Sequence, residues 1–203
     1  MNKTTTITYF DARGRAEPIR LLLAYAGVPF EDRGLTFDQW ATHKPTAPLG
    51  QLPYLVERSG DTEVVIPQAM AILRHLAREH GLDGKDESER LAADVAAETA
   101  VDLRAAFTQL RFSPAWADEA AKAKFGAETV PVHLLRLDKL LGDRPWFASS
   151  APTYADLYVA DGLDRIGDTW PDALAAFPKL AAHRDRVLAL PQLAKYLATR
   201  RPA

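Results

Sequence analysis

The chain has 203 residues, 47% hydrophobic and 26% charged, with 8 Phe, 6 Tyr and 4 Trp, enough to bury a core as one large domain or two small ones. Its 25 Lys and Arg against 27 Asp and Glu leave a formal charge of −2, so no net positive field gathers phosphates and nucleic-acid binding is not expected. With no cysteine, disulfides, thiolate metal sites, CxxC redox chemistry and a cysteine nucleophile are excluded, and any thiol chemistry must use a ligand's sulfur.

In chain order, residues 7–10 alternate weakly as a strand, then Asp11 and Gly14 mark a loop. The apolar set Ile19, Leu22, Leu23, Ala26 follows at helical spacing, with Pro18 near its start and Gly27 just past its end. Residues 28–35 suit a second strand, and residues 36–50, with Pro45 and Pro48, read as loop with a brief helix. Residues 54–57 and 63–66 form a hairpin pattern around residues 58–62, and residues 68–79 carry Met70, Leu73, Leu76 and Ala77 on one helix face. The order is βαβ followed by ββα. From Asp86 the spacing is helical throughout, in stretches reaching Leu110 and over 116–141, 154–166 and 180–197. The expected division is a domain over 1–81, a polar, glycine-bearing linker over 82–85 and an all-helical domain over 86–203.

The longest apolar run, residues 21–30, is half of the ~20 residues that span a bilayer, so no membrane segment is expected. The first residues, Met-Asn-Lys-Thr-Thr-Thr, lead into no apolar stretch of signal-peptide length, which predicts a cytoplasmic protein. His43, His75, His80, His133 and His183 show no HExxH spacing, and GxxxxGK[ST], GxGxxG and GxSxG are all missing, which leaves no metal, nucleotide or esterase motif.

Four features can carry chemistry. Pro53 opens a strand as an ordinary trans proline or as a cis bond that frees the preceding backbone to pair with an extended peptide. The helix starting at Gln68-Ala69 presents free N–H groups to an anion, as every helix start does. Tyr9 stands where the first strand enters its loop, where a phenol either donates to an anion or packs with its hydroxyl outward. Asp94, Glu98 and Asp102 recur every four residues as an acidic stripe. It is either a solvated face or one relieved by a cation, which Arg90 supplies in part. Thr153 and Asp156 have capping-box spacing, with Pro152 and Leu157 placed as a staple.

Taken together, the run from Tyr9 to Arg20 (YFDARGRAEPIR), Trp40, Lys44-Pro45-Thr46, Gly50-Gln51-Leu52-Pro53, the helix from Gln68, residues 101–104 and residues 153–162 resemble a cytosolic glutathione S-transferase. The likeness is to the sigma-like, tyrosine-type branch. It implies a thioredoxin-like N-terminal domain, an all-α C-terminal domain and a homodimer that uses glutathione as co-substrate, needs no metal and acts on a small electrophile. On this resemblance Tyr9 and Arg15 are catalytic. Leu52 and cis-Pro53 pair with the cysteinyl part of glutathione as an added strand. Gln68 and the Ala69 backbone hold the γ-glutamyl carboxylate, Trp40, Lys44 and Gln51 face the glycyl end, and Asp102 of the partner subunit approaches the γ-glutamyl amine. Phe10, Arg13, Phe107 and Thr108 line the electrophile pocket.

The family's chemistry needs a thiolate. Lowering a thiol of pKa ~8.5 by about two units corresponds to ~2.7 kcal/mol. One hydrogen bond from a phenol to a sulfur anion, at ~1.5 to 3 kcal/mol, is of that size. One departure stands out: the family normally has Ser after Gln68, and this chain has Ala69, which keeps the N–H and loses the hydroxyl. The loss is worth roughly 1 to 3 kcal/mol of glutathione binding unless water substitutes. A non-catalytic structural or partner-binding relative, or a glutathione-dependent isomerase or peroxidase, are the alternatives the same resemblance allows.

Overall fold

The computed structural model describes residues 3–202. They form two compact units, one reaching Leu82 and resuming at Leu190, the other spanning Asp83–Ala189.

The first unit is a four-stranded sheet with helices. Strand β1 (Thr4–Phe10) leads through a 3-10 turn into helix α1 (Glu17–Tyr25), then β2 (Glu31–Leu35), α2 (Phe37–His43), the hairpin β3 (Tyr54–Ser59) and β4 (Thr62–Pro67), and α3 (Ala69–Glu79). The sheet order is β2-β1-β3-β4, with β1 parallel to β2 and antiparallel to β3. The βαβ-ββα order expected from sequence is observed, and the fold is thioredoxin-like. Pro18 sits in the first turn of α1, where its missing N–H leaves no bond unmade, and Gly27 follows its end at φ 68°. Helix α2 is a finished element: Thr36 and Gln39 cap each other reciprocally across its first turn. The hairpin loop is only Gly60-Asp61, because Ser59 pairs with Thr62 and both strands run further than their apolar patterns. The core is Ile7, Ile19, Leu22, Leu23, Leu55, Ile72, Leu73 and Leu76, each 1% exposed or less.

The second unit is helical: α4 (Glu87–Arg111), α5 (Glu119–Lys124), α6 (Val130–Leu141), α7 (Tyr154–Thr169) and α8 (Pro178–Leu188). Asp86 caps α4 by accepting from the Glu89 N–H at 2.9 Å. Residues 116–141, which the periodicity predicts as one helix, are broken. Asp118 caps a new start at α5, and residues Phe125–Thr129 widen into a π turn where the Trp170 indole donates to the Lys122 carbonyl at 3.2 Å. The Thr153 capping box is present and does more than cap. Fully buried Asp156 accepts from the N–H of Thr153 at 2.7 Å and of Phe147 at 2.9 Å, and its Oδ1 lies 2.9 Å from Nε2 of buried His183. The carboxylate ties the loop before α7 to α8.

The expected helix over 180–197 also divides. Pro191 lacks an N–H and Leu190 is extended before it, so α8 stops at Leu188 and a last turn, α9 (Ala194–Leu197), follows. From Leu190 the chain belongs to the first unit rather than to the helical one in which the sequence placed it. The turn at 191–193 packs on α1 with Leu193 fully buried, and Tyr196, Arg200 and Arg201 bond to Glu17 and Asp32.

Candidate active site

The sheet register aligns three of the residues singled out in the sequence. The last β1–β3 pair is Thr8 with Tyr54, and the last β3–β4 pair is Tyr54 with Pro67. One further step of each register sets Pro53 between Tyr9 on one side and Gln68 on the other. By register, Tyr9, Pro53 and Gln68 fall in one row just past the last β1–β3 and β3–β4 pairs, while β1 goes on pairing with β2 as far as Phe10. The Leu52–Pro53 bond is cis. Immediately beyond, buried Tyr54 places its hydroxyl 2.7 Å from His43 Nε2, fastening the end of α2 to the start of β3.

Gln68 opens α3 with φ 75° and ψ 113°, a left-handed backbone that a non-glycine residue adopts under strain. Its Nε2 donates to Oε1 of Gln51 at 3.1 Å. The two amides that the sequence assigned to opposite ends of one ligand are therefore hydrogen-bonded to each other, both exposed, beside the free N–H groups of α3. Ala69 is the first residue of that helix. Trp40 is partly buried on α2, its ring 6.0 Å from Phe10 and 6.3 Å from His43, while Lys44 is exposed just after α2.

Tyr9 is partly buried beside Phe10, ring centroids 5.5 Å apart and edge-on. Its ring rests on Gly14, whose φ is 45°. Arg15 is exposed, whereas Arg13 is 8% exposed. Phe10 is stacked obliquely with Phe37 at 5.0 Å, and Phe37 is 77% exposed.

The remaining sequence candidates lie in the second unit. Phe107 is buried, held edge-on between Trp116 at 5.9 Å and Trp170 at 6.0 Å; Thr108 beside it is partly buried. On the acidic stripe, Asp94 accepts from the Tyr154 hydroxyl, and Asp102 and Glu98 are exposed. Arg90 donates to Asp83 at 3.0 Å. Burial and the Arg136 charge hold the His133 ring below its ordinary pKa, against the pull of Asp102.

Among the described residues, Glu57, His75 and Glu79 bring ligand atoms within 4.8 Å of one another. Lys3 Nζ lies 2.8 Å from Glu57 Oε1 and also pairs with Glu79, so an ammonium already answers both carboxylates. Sequence reasoning missed this network, and also Glu17, Arg20, Asp32 and Arg201 behind the Tyr9 loop. Only the Glu17 and Arg20 spacing on one helix carried a local signal.

A thioredoxin-like sheet whose open end carries Tyr9, a cis proline and the start of α3, joined to a helical unit, defines the class of fold. Residues 5–78 match the family described as "Glutathione S-transferase, N-terminal domain", and residues 101–200 match "Glutathione S-transferase, C-terminal domain". The chain belongs to the glutathione S-transferase family of enzymes. It is similar to the hematopoietic prostaglandin D synthase of Gallus gallus, with 38% identity over 96% of this chain and 95% of that protein. It is also similar to glutathione S-transferase P of Caenorhabditis elegans, with 37% identity over 97% of this chain and 93% of that one. Among solved structures, the sigma class transferase of Fasciola hepatica superposes with a TM-score of 0.92 at 32% identity, covering 99% of this chain and 98% of that chain. No helix among the described residues is long and apolar enough to cross a membrane.

Proposed function

We propose that the protein is a sigma-like glutathione transferase that ionises the thiol of glutathione through Tyr9 and adds the sulfur to small electrophiles, acting as a cytoplasmic homodimer. The observation that carries this reading is the row Tyr9, Pro53, Gln68 just past the β1–β3 and β3–β4 pairs. Glutathione lies along Gln51, Leu52 and Pro53 as an added strand, its cysteinyl amide pairing with the Leu52 backbone. Its γ-glutamyl carboxylate takes the N–H of Ala69 and the Gln68 amide, where the start of α3 favours negative charge. Trp40, Lys44 and Gln51 receive the glycyl end, and Asp102 of the partner subunit meets the γ-glutamyl amine.

On binding, the thiol proton leaves to solvent and the Tyr9 hydroxyl donates to the sulfur, with Arg15 adding positive potential. The sulfur lone pair then forms a carbon–sulfur bond while a leaving group such as halide departs with its electron pair. Phe10, Arg13, Phe107 and Thr108 are the residues that the family resemblance assigns to the electrophile. The avian relative's name favours one second reading, a glutathione-dependent isomerase, which uses the same thiolate.

The test is retention on immobilised glutathione followed by conjugation of a generic aryl halide. Tyr9→Phe should be retained yet lose about 10- to 150-fold in kcat/KM, the equivalent of one hydrogen bond to a charged sulfur. Failure of the wild type to be retained at any pH, or full turnover by Tyr9→Phe, overturns the reading.

A further inference from the structure

The loop between Tyr9 and α1 is fixed by charged groups from the far end of the chain. Arg20, fully buried on α1, donates Nη1 to the carbonyls of Ala12 at 2.9 Å and Arg13 at 3.1 Å, and Nε to Oδ1 of Asp32 at 3.0 Å. The other oxygen of Asp32 takes Arg201 Nε at 2.6 Å, and the Asp32 carbonyl takes Arg201 Nη2 at 2.9 Å. Arg201 also pairs with Asp11, and the Arg13 N–H donates to the Pro202 carbonyl at 3.2 Å. Glu17, fully buried, receives Arg200 Nε at 2.6 Å and the Tyr196 hydroxyl at 2.8 Å. Gly34 leaves the space for the Arg201 guanidinium, since a Cβ there would lie 3.1 Å from its Cζ.

Residues 11–13 are thus held on both sides, by Arg20 from α1 and by Arg201 and Pro202 from the C-terminus. The next residue is Gly14, on which the Tyr9 ring rests, and then Arg15. Three arginines (20, 200, 201) meet three carboxylates (Asp11, Glu17, Asp32). Losing a partner of Glu17 or Arg20, both fully buried, leaves buried charge uncompensated, while Arg201 fastens the exposed Asp11 and the partly exposed Asp32.

We propose that residues 196–202 form a clamp that sets the Tyr9–Arg15 loop in its reactive position, with Arg201 a positioning residue for thiol ionisation. This rests on the Tyr9 reading above. Arg201 touches no reacting atom; it acts through Asp11 and Asp32 on the backbone that carries Gly14 and Arg15.

The experiment compares wild type, Tyr9→Phe, Arg201→Gln and Arg201→Lys. It measures pH profiles of aryl-halide conjugation, whose acid limb reports ionisation of the bound thiol. Arg201→Gln should move that limb to higher pH, in the same sense as Tyr9→Phe but less far. It should lower kcat about tenfold, less than the roughly hundredfold that a full 1 Å misplacement of a catalytic group can cost, with KM for glutathione nearly constant. Arg201→Lys, which keeps the charge but not the planar fork, should fall between Arg201→Gln and wild type. A folded Arg201→Gln protein with the wild-type limb and kcat overturns the clamp. Should Arg201→Gln not fold, a folded Arg201→Lys protein with the wild-type limb and kcat does the same. If Tyr9→Phe itself keeps the wild-type limb, the Tyr9 reading fails on its own variant; if Tyr9→Phe shifts and Arg201→Gln does not, only the clamp fails.

Discussion

The ring of Tyr9 occupies the space that Gly14 leaves empty: a Cβ on Gly14 would lie 2.5 Å from the Tyr9 hydroxyl oxygen and 2.7 Å from its Cζ. Gly14 also holds φ 45°, a conformation costly to other residues. Gly14→Ala should lower stability by about 1 to 3 kcal/mol and reduce kcat for conjugation by tenfold or more, because the phenol must move. Thermal melts and initial rates check both. An alanine variant that melts and turns over like wild type would show that the ring is not held this way.

Restoring the hydroxyl that this chain lacks at position 69 should strengthen the hold on the γ-glutamyl carboxylate. Ala69→Ser is expected to tighten glutathione by about 5-fold or more, from a hydrogen bond worth ~1 to 3 kcal/mol to a charged group. Calorimetric titration reads this directly, and unchanged affinity counts against a carboxylate at the start of α3.

At Gln68 two effects can be separated. Gln68→Gly relieves the positive φ while deleting the amide that meets Gln51, whereas Gln68→Ala deletes the amide and keeps the strain. The glycine protein should be more stable than the alanine protein by up to about 1 kcal/mol, and melt correspondingly higher, since the relief exceeds the entropy that glycine adds to the unfolded chain. Both should raise KM for glutathione. An alanine variant more stable than the glycine one would remove the argument from strain.

Acid stability should follow Glu57. Burial alone would raise its pKa, but hydrogen bonds and charge from Lys3 and His75 outweigh burial and hold the carboxyl below its ordinary value. A lowered carboxylate contributes stability that is complete above its unfolded pKa, about 4.3, and is lost as pH falls through its folded pKa. Wild-type melting temperature should therefore drop below about pH 4.5, and Glu57→Gln should flatten that part of the profile while melting lower at neutral pH. Parallel profiles for the two proteins would mean that another carboxylate governs the acid limb.

Much of the fold is legible in the sequence because its signals are local. Alternation before Asp11, the Pro18 and Gly27 punctuation of α1, and the amphipathic face of α3 depend on neighbours a few residues apart. The order of Tyr9, Pro53 and Gln68 is likewise written in the chain, though only strand register turns that order into a row. The sequence overextended its helices at 116–141 and 180–197. Helical spacing continues through Gly126, and the indole of Trp170, 48 residues from the Lys122 carbonyl it reaches, leaves no trace in the local pattern.

By itself, then, the sequence determined a βαβ-ββα sheet, a helical second half and a family whose chemistry borrows a sulfur. Tertiary structure alone decided that Phe107 is boxed by two tryptophans, that Gln51 and Gln68 bond to each other, and that the C-terminal tail returns to brace the Tyr9 loop. The physical reason is range. Backbone propensity and hydrophobic period act over a few residues, whereas Arg201 and Asp32 are 169 residues apart and attract each other only after the chain has folded and water has been excluded from between them.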